Sequence, residues 1–351
     1  MLKNIQMLRA LAALSVMLFH GATIYKEATG GLTVFMAAIG QHGYLGVDLF
    51  FVISGFVAAH TTLYRERYWL DARQYLYQRF TRIYLGYWPF FALSIFVAAC
   101  FQSDLMHQWN WLRSFFLAFL IGMHDGRDLV LFVSWSLSYE LIFYMLTALT
   151  FAFSTAKIII LINLSAIVLI IILRAAQADS MPTALWTFLC FFFEFVLGAL
   201  MRTHVNRFRG FLGPFLAMML FAIGMYLLIQ ADLSLTAERA LSAGIASAGL
   251  IMLTYALEQA NLMIAPKWIV GLGDSSYTLY LAHVIFWSLI SYSGTTKFLA
   301  SLPTELSAFG YWFLVTLCVM ICKIYSARIE MPMYRWSISL REKQIASRRH
   351  P

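Results

Sequence analysis

The feature that most constrains this chain is a succession of continuous apolar runs, each about 20 residues long, that covers nearly the whole sequence. As an α-helix rising 1.5 Å per residue, such a run matches the hydrocarbon core of a bilayer, about 30 Å thick. Windows of spanning length fall near 5–25, 43–62, 83–101, 131–153, 157–174, 185–201, 211–230, 240–257, 275–294 and 309–327. Because the runs are continuous, they do not fit an outer-membrane barrel, whose strands alternate over about 10 residues. Composition agrees: 12% of residues are charged and 61% hydrophobic, where a soluble domain carries about 25% charged residues. The expected fold is all-α, a polytopic transmembrane bundle of about ten spans. The windows form one membrane domain, 1–330, and leave a short basic tail, 331–351.

The distribution of Lys and Arg predicts sidedness. With the N-terminus inside, 18 of the 25 cationic residues fall on the cytoplasmic face and six outside, with Arg9 left within the first span. The positive-inside rule therefore predicts that both termini are cytoplasmic. This asymmetry accounts for the net charge of +8 without a nucleic-acid partner. Arg9 opens the first apolar run and no clean small-x-small site follows, so that run is expected to be a retained helix. Residues 109–123, apolar but short and carrying Trp109, Trp111 and Arg113, are expected to form an interfacial helix. Cys100, Cys190, Cys318 and Cys322 all lie in apolar runs and imply no disulfide framework.

An ionisable side chain inside a span costs several kcal/mol unless it is paired or watered, which makes each one a functional candidate. Arg9 and His20 share the first helix, eleven residues apart. That is about three turns and about 16 Å, so they face nearly the same way. Taken alone, Arg9 also fits a snorkelling end residue and His20 a packing histidine. Asp48 enters the second span at roughly the depth of His20, and a His–Asp contact would satisfy both. Glu140 lies among hydroxyls at helical spacing, Ser136 and Tyr144, a pattern also compatible with polar glue between helices. Glu194, amid Phe191, Phe192 and Phe193, is expected to make a structural pairing, whereas His283 fits packing and function equally.

Arg79 and Arg82, three apart at the start of the third span, would project together as two guanidinium forks suited to a phosphate or pyrophosphate. Most such pairs at span ends only anchor topology. The sequence has no G-x-S-x-G elbow, no phosphate-binding G-x-x-x-x-G-K-[ST] loop and no His pair at metal-ligand spacing, so no metal is expected.

Several segments occur in a familiar order: Arg9 with His20, the run Gly46-Val47-Asp48-Leu49-Phe50-Phe51-Val52-Ile53-Ser54-Gly55, the pair Arg79 and Arg82, the stretch from Ser134 to Glu140, and Ser276-Tyr277 through His283. The end, Arg328-Ile329-Glu330-Met331-Pro332, fits as well. Over essentially its whole length the chain resembles the acyltransferase-3 family of bacterial membrane acyltransferases, most of all the exopolysaccharide-modifying members.

The resemblance implies an acetyl-CoA or other acyl-CoA donor from the cytoplasm, a bacterial inner-membrane location, and transfer of a short acyl group to a hydroxyl of a cell-surface or lipid-linked glycan. Polysaccharide assembly proteins are then natural partners. It assigns His20 as general base with Asp48 or Glu140 orienting it, Arg9, Arg79 and Arg82 to the donor, and Ser134, Tyr277 and His283 to substrate. Two departures stand out. Tyr139-Glu140-Leu141 replaces the relatives' Val-Glu-Trp, and the fused hydrolase-like domain of many relatives is missing. Two further readings are open: an acyl-histidine relay, and a glycan or lipid transporter that uses the same buried polar groups.

Overall fold

The computed structural model describes residues 2–62, 69–101, 111–121, 131–149, 183–204, 212–232 and 236–349. The expected span at 157–174 lies outside them. Among the described residues every regular element is helical. In chain order these are α1 (Lys3–Thr29), α2 (Val34–His42), α3 (Gly46–Thr62), α4 (Trp69–Phe101), α5 (Trp111–Ala118), α6 (Trp135–Leu149), α7 (Thr183–His204), α8 (Leu212–Gln230), α9 (Thr236–Gln259), α10 (Lys267–Asp274), α11 (Ser276–Tyr292), α12 (Thr295–Ala300), α13 (Thr304–Tyr325) and α14 (Met331–Arg349). Among the described residues eight helical stretches are long and apolar enough to cross a membrane. With α11, of 17 residues, they cover the other expected windows. The protein is a polytopic helical bundle.

α1 is the central element, in contact with α3, α9, α10, α11 and α13. Its first turn would leave bare N–H groups in an apolar setting, and Glu258 at the end of α9 accepts from the backbone N–H of Lys3 and of Asn4, both at 2.8 Å. The buried Asn4 amide donates to the Thr254 and Met263 carbonyls and accepts from the Ala265 N–H, which binds α9 and the start of α10 to α1. These bonds fix the height of Arg9 and His20 within the bundle.

α3 and α7 cross at backbone contact. A Cβ placed on Gly55 would lie 1.7 Å from the Phe195 carbonyl oxygen, and one on Gly198 would lie 1.9 Å from that of Val52. Glycine is required at both positions, as where membrane helices pack through small residues. Around this crossing Phe51, Phe143, Phe191 and Phe195 pack, stacked or edge to face, with ring centres 4.5–5.8 Å apart. α8 buries only Gly213, Ala217 and Gly224; this small-residue stripe seats it on α9 while the rest of its surface faces outward.

α5 is the described part of the expected interfacial segment, and its end is seated on α4. Tyr84 and Tyr87 hydroxyls and the Trp88 indole donate to the carbonyls of Phe119, Leu117 and Ala118 at 2.7–2.9 Å. The expected tail is likewise packed helix. α13 passes through a π-helical turn, Ser326–Glu330, into α14, which runs alongside the start of α4. Pro332 accounts for that turn: it has no N–H for the Arg328 carbonyl, and its ring pushes on that carbonyl.

Candidate active site

Side chains from α1, α3, α4, α6 and α11 enclose a cavity of about 150 Å³. Its polar lining includes Arg9, Ser54, Arg79, Arg82, Ser136, Glu140 and Tyr144, with Tyr277 and Tyr280 beside them. Five helices thus deliver what was scattered over 270 residues of sequence.

Each polar group is fixed by local packing. Glu140 accepts from the Ser54 hydroxyl at 3.0 Å and from the hydroxyl of Tyr144, one turn further along α6. Arg79 donates to Thr61 at 3.1 Å and lies over the rings of Tyr144 and Tyr75 at 5.1 and 5.3 Å. Arg82 donates to Glu330 at 2.5 Å and lies between the rings of Tyr277 and Tyr334, at 5.5 and 5.8 Å. Glu330 also accepts from Thr278, and the Tyr277 hydroxyl donates to the Ile83 carbonyl at 2.8 Å. That close approach depends on Gly86, where a Cβ would lie 2.3 Å from the Tyr277 ring.

Arg9 donates to Gln6 at 3.3 Å. Among the described residues neither Arg9 nor Arg79 forms an ion pair. Around the cavity three guanidinium groups meet the carboxylates of Glu140 and Glu330. In the cavity lining itself three guanidinium groups face the single carboxylate of Glu140, in an environment that exposes little of them to water, which favours holding an anion.

His20 lies further along α1, outside the cavity lining. Its partner is neither of the carboxylates expected from the sequence. Nδ1 of His20 is 2.9 Å from Nε2 of His283, with the two rings stacked at 5.1 Å. The buried His283 has its Nδ1 3.0 Å from the Leu279 carbonyl, and Tyr280, which lines the cavity, is its neighbour at 6.1 Å between ring centres. A carbonyl only accepts, so Nδ1 of His283 carries a proton. In the neutral ring its Nε2 is then an acceptor, Nδ1 of His20 is the donor, and Nε2 of His20 keeps its lone pair. The half-buried His20 therefore presents a basic nitrogen, flanked edge-on by Phe19 and Phe132.

Asp48 corrects the expectation of a His–Asp contact. The fully buried carboxylate takes a two-pronged ion pair from Arg239, with Nε to Oδ1 at 3.0 Å and Nη2 to Oδ2 at 2.9 Å. Arg239, one of the six cations that the sequence places outside, stands in the first turns of α9 over the Tyr44 ring at 4.7 Å. Like Arg9 it opens an apolar run, but its local sequence does not separate a buried cation from a loop cation. Glu194 is buried beside this pair, with Asp48 and Arg239 as its charged neighbours. Ser134, expected to touch substrate, is buried outside the cavity lining. Among the described residues no group of three His, Cys, Asp or Glu side chains is arranged to hold a metal ion.

A family model described as an acyltransferase domain matches residues 2–328. The chain belongs to the acyltransferase-3 family. Among curated proteins and solved structures none matches it. Membership makes the protein a membrane acyltransferase, and in a member of the acyltransferase-3 family the cationic cavity and the paired imidazoles are the chemistry-bearing groups to consider first.

Proposed function

We propose that the protein transfers an acetyl or other short acyl group from acyl-CoA to a hydroxyl of a cell-surface or lipid-linked glycan, across a bacterial inner membrane in which both of its termini are cytoplasmic. The observation that carries this reading is the separation of two chemistries along one helix. An anion-seeking cavity surrounds Arg9, and a basic imidazole nitrogen lies eleven residues further on, about 16 Å along α1. A pantetheine arm bridges such a distance, with its phosphates at the arginines and its thioester toward His20.

In this mechanism Nε2 of His20 takes the proton from the acceptor hydroxyl as the oxygen attacks the thioester carbon. The new C–O bond forms, the C–S bond breaks, and the thiolate leaves with the proton held on His20, giving ester and free CoA. His283 accepts the Nδ1 hydrogen of His20 throughout and so supports the imidazolium that forms. Arg79 and Arg82 hold the phosphates, while Glu140 fixes Tyr144 beneath Arg79. A covalent acyl-histidine relay would use the same nitrogen. A transporter would leave the donor thioester intact.

Mass spectrometry of surface glycans from cells with and without the protein tests this reading. The expected result is loss of an O-linked acyl ester in its absence. An unchanged ester profile would remove glycans as acceptors.

A further inference from the structure

The family model ends at residue 328, yet the chain continues as α14 against α4. Tyr334, Ser337, Ile338 and Arg341 form its half-buried face, at i, i+3, i+4 and i+7. The Tyr77 hydroxyl of α4 is 2.8 Å from the Ser337 hydroxyl. The central carbon of the Arg341 guanidinium lies over the Tyr77 ring, 4.2 Å from its centre.

Arg82 and Arg341 differ in one respect that matters. Glu330 answers the charge of Arg82. No carboxylate pairs with Arg341 among the described residues, and its buried Nε has no hydrogen-bond partner. A guanidinium already held over an aromatic ring loses less freedom when an oxyanion arrives. Tyr77 precedes Arg82 by five residues on α4, which sets Arg341 about 7.5 Å further along the same seam. Two phosphate sites separated by roughly one sugar ring fit a nucleotide that carries a pyrophosphate on its 5′ carbon and a monoester on its 3′ carbon.

We propose that Arg341, held on Tyr77 with Ser337 beside it, binds the 3′-phosphate of the donor nucleotide, while the pyrophosphate lies at the Arg79 and Arg82 end of the α4–α14 seam. This rests on the acyl-CoA reading above and extends it to a residue beyond the matched domain. The site makes the enzyme discriminate CoA from its 3′-dephospho form.

The test is titration calorimetry of the full chain in discs of neutral lipid, with CoA and 3′-dephospho-CoA as probes. Wild-type protein should bind CoA about tenfold more tightly, as one charge-assisted hydrogen bond predicts. Arg341→Gln should bind the two alike, at the weaker value, and Arg341→Lys should retain part of the preference. The ratio is internal to each protein, so lower abundance of a variant does not affect it. Equal binding by wild type, or an unchanged ratio in Arg341→Gln, would overturn the role of Arg341 and leave the donor reading standing. Absence of binding by either nucleotide would remove the donor reading and this site together. In parallel discs that contain anionic lipid, an effect of Arg341→Gln seen only there would assign the residue to a headgroup and contradict the proposal.

Discussion

His20 Nδ1 lies 2.9 Å from His283 Nε2, and this contact, with the Leu279 carbonyl on His283 Nδ1, sets the protonation order of both rings. If it holds the base in its reactive tautomer, His283→Leu should lower turnover about tenfold or more, the worth of a buried hydrogen bond that strengthens in the transition state. His283→Gln, which can offer an amide oxygen to Nδ1–H, should keep more activity. Turnover per folded protein, with folded protein quantified by size-exclusion profile, checks both. Equal activity of His283→Leu and wild type would leave His20 without a positioning residue.

For Arg79 and Arg82 the informative change is to lysine. Both lie against tyrosine rings, and a point charge on a flexible stem reproduces neither the planar stack nor the fork. The KM for acyl-CoA should rise in Arg79→Lys and in Arg82→Lys, with the membrane level of the protein unchanged because net charge is kept. Glu330→Gln should act on KM as well, through the loosened Arg82. Unaltered KM in both lysine variants would reduce the pair to a topology anchor.

The ion pair of Asp48 and Arg239 is a stability feature. Removing one partner strands a buried charge, at a cost of about 3–5 kcal/mol, whereas removing both costs much less. Thermal unfolding in detergent should therefore rank Arg239→Gln well below the double variant Asp48→Asn with Arg239→Gln. The double variant should also retain acyl transfer, since His20 is served by His283. A stable but inactive double variant would return Asp48 to the chemistry.

Gly55→Ala and Gly198→Ala should each force α3 and α7 apart, because the added carbon would overlap the facing carbonyl. Overpacking of this kind costs about 1–3 kcal/mol or more. Gly271→Ala, whose new carbon would meet nothing nearer than 3.9 Å, is the control. Unfolding midpoints that do not separate the three variants would refute the close crossing.

Sidedness is open to a direct check. In a cysteine-free background, labels placed at positions 31 and 301 should react from outside intact cells, and a label at position 343 only after permeabilisation. Reaction at 343 from outside would invert the bundle and separate the arginines from cytoplasmic donor.

The bundle was legible in the sequence because one solvent, lipid, writes the same signal into every span. Ionisable residues inside spans were legible for the same reason, so Arg9, Asp48, Glu140 and His283 stood out at once. Their pairing did not. Whether Asp48 meets His20 or Arg239 depends on which helices pack side by side, and the glycine crossing of α3 with α7 and the tie of Asn4 to α9 decide that at the level of backbone contact. Arg239 was hidden for a different reason. At the end of a helix a buried cation and a loop cation have the same local sequence, and only the carboxylate opposite separates them. From sequence the tail reads only as short and basic, because its polar composition describes its exposed face, while Tyr334, Ser337 and Arg341 turn the other face to α4.

The most direct test of the central claim follows one atom group. Purified protein in lipid discs is given acyl-CoA labelled in its acyl group together with an extract of native surface and lipid-linked glycans, and label in glycan ester is measured beside free CoA. Wild type is expected to release CoA and label glycan in equal amounts. His20→Ala should do neither, with a loss of roughly 10²–10⁴-fold, while binding CoA as tightly as wild type. Undiminished ester formation by His20→Ala would contradict the account.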